Sequence, residues 1–211
     1  MKIAIPREYV VWDLETSGLD PKEDRILEVA ALKIRDGQVV EKYEAILNHG
    51  IEIRPEVSAV NHLTKDICEK EGINPKEGMI NLARMIVQTE KHVTHNGFKF
   101  DIPFLIEELL RLGDIPEESM TRLKNKCTYD HIDTAIIYKG HKLGKPIGED
   151  EAFIHYCHQI TRIFAKGVKY NVSIACEELG IDKGSVVQHS AGGDIELTNE
   201  ILKKLCALYN S

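Results

Sequence analysis

Residues 9–47, YVVWDLETSGLDPKEDRILEVAALKIRDGQVVEKYEAIL, decide the fold. Tyr9 to Glu15 is short, β-branched and aromatic, the composition of a buried strand. Ile26 to Arg35 predicts a second strand, Asp36-Gly37 a hairpin turn, and Val39 to Leu47 a third strand running back. Beyond this meander the pattern turns helical. Thr64 is a candidate N-cap for one helix, and Gly78–Gln88 places Met79, Leu82, Ala83 and Ile86 on one face of the next. Lys91–His95 predicts a short strand ended by Asn96-Gly97. Asp101 then starts a helix with Pro103 in its first turn and Phe104, Leu105, Leu109 and Leu110 on its buried side. Further along, Cys127–Asp130 is expected as a strand, Asp133 as the cap of a helix through Tyr138, and Lys139–Gly148 as a polar loop. Helices are expected over Glu151–Ala165, Val172–Leu179 and Gly193–Asn210. Strands first, then alternating helix and strand, give a mixed α/β sheet covered by helices. With no repeat or linker, the expected organisation is one domain over 1–211.

The composition narrows the function. The chain has 211 residues, 43% hydrophobic and 29% charged, with a net charge of −7, as in an ordinary globular protein. No apolar run reaches the ~18–20 residues of a membrane span, and no long apolar h-region precedes the first charges, so no secretory signal is expected. The five cysteines, at 68, 127, 157, 176 and 206, lack CxxC spacing, which predicts reduced thiols and a cytoplasmic location. An acidic chain does not coat nucleic acid by bulk charge, so any such role belongs to a local site.

Three stretches carry chemistry. Asp13 and Glu15 lie two apart on an apolar strand, so their carboxylates leave one sheet face about 6–7 Å apart, while Trp12 and Leu14 face the other way. Such a pair can hold a hard divalent cation. An Asp-x-Glu arises about once by chance in so acidic a chain, and a second stands at Asp194–Glu196; the apolar setting of the first is what singles it out. His95-Asn-Gly-Phe-Lys-Phe-Asp101 reads on its own as a strand, a turn and a helix cap. His189-Ser-Ala-Gly-Gly-Asp194 precedes the last helix, and its two glycines let a loop histidine and a first-turn aspartate approach one point.

Taken together, in this order, the stretches resemble the DEDDh (DnaQ-like) family of 3′→5′ exonucleases. WDLETSGLD corresponds to the first motif, HNGFKFDIPFL to the second and HSAGGD to the third, with weaker echoes in NHLT at 61–64 and NVSIACEELGI at 171–181. The five-residue step from Asn96 to Asp101 is similar to that of the three-prime repair exonuclease branch. The DEDDy branch has a tyrosine four residues before the last aspartate, where this chain has Ser190. The resemblance implies a ribonuclease H-like, mixed five-stranded sheet flanked by helices. It implies that Asp13, Glu15, Asp101 and Asp194 hold two Mg²⁺ or Mn²⁺ ions, with His189 as general base. It places Thr16, Leu19, Leu63, Asn96 and Phe104 at the terminal nucleotide. Expected partners are single-stranded 3′ ends of DNA or RNA, DNA favoured, with no membrane and with room for a homodimer.

Two other features carry less. His155-Tyr-Cys-His158 suggests zinc, but only 155 and 158 share a helix face and no second pair completes four ligands. Lys139, His141, Lys142 and Lys145 form a basic run suited to a nucleic-acid backbone. The rival function is a non-catalytic binding or scaffold protein on the same fold, which predicts a missing ligand or base; none is missing. A proofreading subunit tethered to a polymerase would need an added segment, for which this reading leaves little room.

Overall fold

The structure, a computed structural model, describes residues 5–148, 151–184 and 190–210. In chain order the elements are β1 (Glu8–Thr16), β2 (Ile26–Arg35), β3 (Gln38–Ile46), α1 (Pro55–Asn61), α2 (Lys65–Glu71), α3 (Pro75–Gln88), β4 (Lys91–Thr94), α4 (Asp101–Leu112), α5 (Glu117–Tyr129), β5 (His131–Asp133), α6 (Thr134–Lys142), α7 (Phe153–Arg162), α8 (Val172–Glu178) and α9 (Ala191–Asn210). The sheet order is β3-β2-β1-β4-β5. The first three strands pair antiparallel, and β4 and β5 join them in parallel. The hairpin turns at Asp36 and Gly37, whose φ angles of 51° and 76° are both positive, as a two-residue turn matched to strand twist requires.

β1 alternates strictly, which sets up the site. Val10, Trp12 and Leu14 face a core built with Met79, Leu82, Met85 and Ile86 of α3, Phe104, Leu105 and Leu109 of α4, and Met120, Leu123 and Cys127 of α5. Tyr9 and Val11 face the opposite core, formed with α6, α7, α8 and Ile195, Ile201, Leu202 and Leu205 of α9. Each such buried side chain contributes about 1.5–3 kcal/mol of transfer free energy. The second face begins apolar and becomes acidic: after Tyr9 and Val11 come Asp13 and Glu15, where α9 crosses β1 and β2.

Three expectations fail here. Leu110 lies off the buried side of α4, 51% exposed. Cys127–Asp130 is not a strand: Cys127 is buried on α5, and the strand begins at His131. Lys139–Gly148 is not wholly loop, because α6 runs to Lys142. Lys139 is buried, donating Nζ to the Ile163 carbonyl at 2.8 Å over the Tyr170 ring, and Lys142 pairs with Glu178 at 2.8 Å. These two lysines serve the fold rather than an open basic surface. α1 and α5 appear where no helix was expected. At His155–His158, the His158 ring meets Phe98 edge-on, with centroids 5.2 Å apart.

Candidate active site

Three elements bring four acids to one cavity of about 500 Å³, lined by Asp13, Glu15, Asn96, Asp101 and Asp194 among others. β1 supplies Asp13 and Glu15 by alternation, and α4 and α9 supply Asp101 and Asp194 from their first turns. One carboxylate oxygen each of Asp13, Glu15 and Asp194 lies within 4.8 Å of the others. Asp101 is buried on the same wall, and backbone N–H groups of Leu14 and of Asp101 itself hold its carboxylate.

The turn before Asp101 is fixed by Asp133. Its buried carboxylate accepts the N–H groups of Asn96 at 2.9 Å and Phe98 at 3.0 Å, while capping α6 through Ala135 and Ile136. Asn96 can follow because its φ of 73° is a conformation asparagine tolerates. His95 ties this turn to the far wall, its Nε2–H donating to the Tyr170 carbonyl at 2.7 Å.

Crowding raises the proton affinity of these acids. Burial, then Asp101, Asp194, Glu15 and Glu28, hold the Asp13 carboxyl well above its usual range. Burial, then Asp194, Glu28 and Asp101, push Glu15 up to about 8. Burial also takes Asp101 to about 8, with the charges of Asp133 and Asp194 adding to the shift and the N–H groups at its carboxylate opposing it. Among the described residues lining the cavity, Lys169 is the one lysine or arginine. Converging half-buried oxygens that repel one another suit a hard divalent cation, and an all-oxygen set favours magnesium or manganese over zinc.

The other expected residues are placed as follows. Asn96 lines the cavity. Thr16 is buried, its hydroxyl donating to the Gly18 carbonyl at 2.6 Å and its own carbonyl accepting from Asn61 at 3.3 Å. Leu19 is 84% exposed on the loop after β1, Leu63 packs with Leu27 and Cys68, and Phe104 is enclosed in the core with α3 and α5. None of these four is among the cavity's lining residues. His189 lies outside the described residues. His95 and Phe100, quoted in the second motif without a role, also line the cavity wall, and so do Lys169, Tyr170, Asn171 and Ser173, which had none assigned. The stretch 171–181 was a faint signal for the last of these.

A five-stranded mixed sheet with this order, carrying its acids at the end of the central strand, defines a ribonuclease H-like nuclease fold. The family described as Exonuclease (RNase_T) matches residues 10–202, and the chain belongs to it. Among curated proteins, the chain is 32% identical over 98 residues to a DNA polymerase III PolC-type of Lacticaseibacillus paracasei, covering 46% of this chain and 7% of that protein. It is 30% identical over 143 residues to the same kind of polymerase from Ureaplasma parvum, covering 64% of this chain and 9% of that one. Among solved structures, E. coli exonuclease I in complex with a dA16 oligonucleotide superposes with a TM-score of 0.71 at 15% identity, covering 96% of this chain and 41% of that one. A product-bound exonuclease I superposes with a TM-score of 0.71 at 14% identity, covering 96% of this chain and 45% of that one. The chain therefore spans less than half of exonuclease I and under a tenth of the polymerases, and at these identities the structural likeness is one of fold.

Proposed function

We propose that this chain is a metal-dependent 3′→5′ exonuclease that removes nucleoside monophosphates from single-stranded ends, DNA in preference to RNA, as one exonuclease unit over 1–211. The observation that carries the proposal is the convergence of Asp13, Glu15 and Asp194 within 4.8 Å, with Asp101 on the same cavity. Membership of the exonuclease family supports the activity. Exonuclease I, which shares the fold, has been solved with single-stranded DNA.

In this mechanism Asp13, Glu15, Asp101 and Asp194 would hold two Mg²⁺ or Mn²⁺ ions. Divalent cations there supply Lewis-acid charge to the scissile phosphate and the leaving 3′ oxygen. The four carboxylates neutralise that added charge, so a phosphodiester enters a site near electrical balance. His189, five residues before Asp194, takes the proton from the attacking water; an imidazole with pKa near 6.5 is mostly neutral at pH 7–8 and can accept it. The oxygen–phosphorus bond forms as the bond to the 3′ oxygen breaks. Asn96 and the wall at 169–173 enclose the terminal nucleotide, and Thr16, Leu19, Leu63 and Phe104 shape its surroundings, the buried ones through packing. The five cysteines, all unpaired and buried, fit a reducing cytoplasm. Among the described residues no helix is long and apolar enough to cross a membrane.

The test is digestion of 5′-labelled DNA and RNA oligonucleotides, single- and double-stranded, with Mg²⁺, with Mn²⁺ and with EDTA. Ladders shortening from the 3′ end of single-stranded DNA, only with metal, are expected. Intact substrate under all conditions would remove the proposal.

A further inference from the structure

Glu28 on β2 is the direct cross-strand partner of Glu15, so its side chain stands on the acidic face of the sheet. It is half-buried, and its Oε2 accepts the backbone N–H of Ala191, the first residue of α9, at 3.0 Å. That helix opens Ala191-Gly-Gly-Asp194. Two glycines in one turn each cost about 1 kcal/mol of helix propensity relative to alanine, so contacts rather than preference hold the turn.

The Ser190 carbonyl accepts the N–H groups of Gly193 and Asp194, each at 3.0 Å, and the Ser190 hydroxyl accepts from Gly193 at 3.2 Å. Gly192 lies so close to Glu44 that a Cβ there would overlap its carboxylate. Lys42 bridges Glu44 at 3.1 Å and Glu196 at 3.0 Å. Of these, the Glu28 bond alone starts from the residue paired with a member of the acidic cluster, three residues from Asp194. Glu28 is not one of the three carboxylates that converge. It adds to the repulsion at Asp13 and Glu15, and a residue kept for packing alone would not place a carboxyl there.

We propose that Glu28 is a positioning residue: its hydrogen bond to Ala191 holds the first turn of α9 against β1 and so sets Asp194 opposite Asp13 and Glu15 for binding a divalent cation. This rests on the part of the proposed function that reads the acidic cluster as a cation site. A charged acceptor at a helix N-terminus also suits the helix dipole.

The length of the side chain, more than its charge, is then what matters. Glu28→Gln keeps an acceptor oxygen at the same reach, Glu28→Asp keeps the charge but falls one methylene short, and Glu28→Ala removes both. Three readouts apply: hydrogen exchange of the 190–197 segment without metal, Mn²⁺ affinity by calorimetry, and kcat on single-stranded DNA. For Asp and Ala we expect faster exchange at 191–194, with α5 unchanged, and a loss of roughly 10–100-fold in Mn²⁺ affinity, as for other groups that orient a metal ligand. Gln should stay close to the parent protein. The proposal is overturned if Asp matches the parent while Gln falls, or if Ala leaves exchange at 191–194 and Mn²⁺ affinity unchanged. If Ala does not fold, the order of Asp and Gln decides. A parent protein that binds Mn²⁺ but digests nothing would end the nuclease reading and leave this one standing. If the parent binds no Mn²⁺, the cation-setting role is overturned with the site.

Discussion

Asp13 concentrates the chemistry of the site in one side chain. It sits between Asp101, Asp194 and Glu15, and burial in their company holds its proton far more tightly than an ordinary carboxyl does. A divalent cation would stabilise a group so placed as an anion. Asp13→Ala is therefore expected to abolish digestion while the protein keeps its circular dichroism spectrum, because removing one repelling carboxylate does not weaken the fold. Full activity in that variant would dismiss the ligand assignment. His189→Ala should slow turnover by roughly 10²–10⁴, the usual cost of a lost general base, measured as single-turnover rate on single-stranded DNA. An unchanged rate would mean that another group accepts the proton.

At the scale of elements, the site depends on short connections locked by buried polar groups. Asp133 closes two of them at once, serving the turn at 96–98 and the start of α6. Its replacement by alanine leaves up to four backbone N–H groups without their acceptor and is expected to cost roughly 3 kcal/mol in urea unfolding. A loss below about 0.5 kcal/mol would show that water replaces the carboxylate freely. The same elements show what the sequence disclosed. β1, β2 and the hairpin were legible because alternation and the Asp-Gly turn act locally, and α9 because its apolar spacing runs for five turns. β5 was missed because three residues, His131–Asp133, are too few to display a period. α5 has only Met120, Leu123 and Cys127 on its buried side. Lys139–Lys142 looked like loop because of its lysines and Gly140, yet Lys139 points inward and Gly140 is needed where the Tyr156 hydroxyl presses on the helix. In the site, the acids were legible from motif order. The wall at 169–173 was not, since long-range contacts such as the His95–Tyr170 bond, rather than a local pattern, bring it to the cavity.

At the scale of the whole molecule, acid tolerance is set by opposed buried groups. The His92 ring accepts the Trp12 indole N–H on Nδ1 at 3.0 Å and stacks on His131 at 4.7 Å. An indole can only donate, so Nδ1 must remain unprotonated in the fold. Burial lowers His92 to about 3 and holds His131 well below its usual range. Both take up protons more readily when unfolded, so the stability they contribute is complete above about pH 6.5 and drains away as the pH falls towards 3. Glu15 and Asp101, raised to about 8, act in the opposite direction in metal-free protein. A His131→Gln comparison separates the two effects. Between pH 6 and 5 the parent should lose roughly 1 kcal/mol more than the variant in EDTA-containing buffer, and equal slopes would show that His131 titrates normally in the fold.

If the four acids of β1, α4 and α9 form one cation-binding centre, the protein takes up Mn²⁺ there. Titration with Mn²⁺, following free ion by electron paramagnetic resonance with Asp13→Ala in parallel, measures this. Two saturable sites per chain in the parent, and a loss of binding in the variant, are the predicted result. A parent protein that binds no Mn²⁺ at millimolar concentration, or a variant that binds as well as the parent, would contradict it.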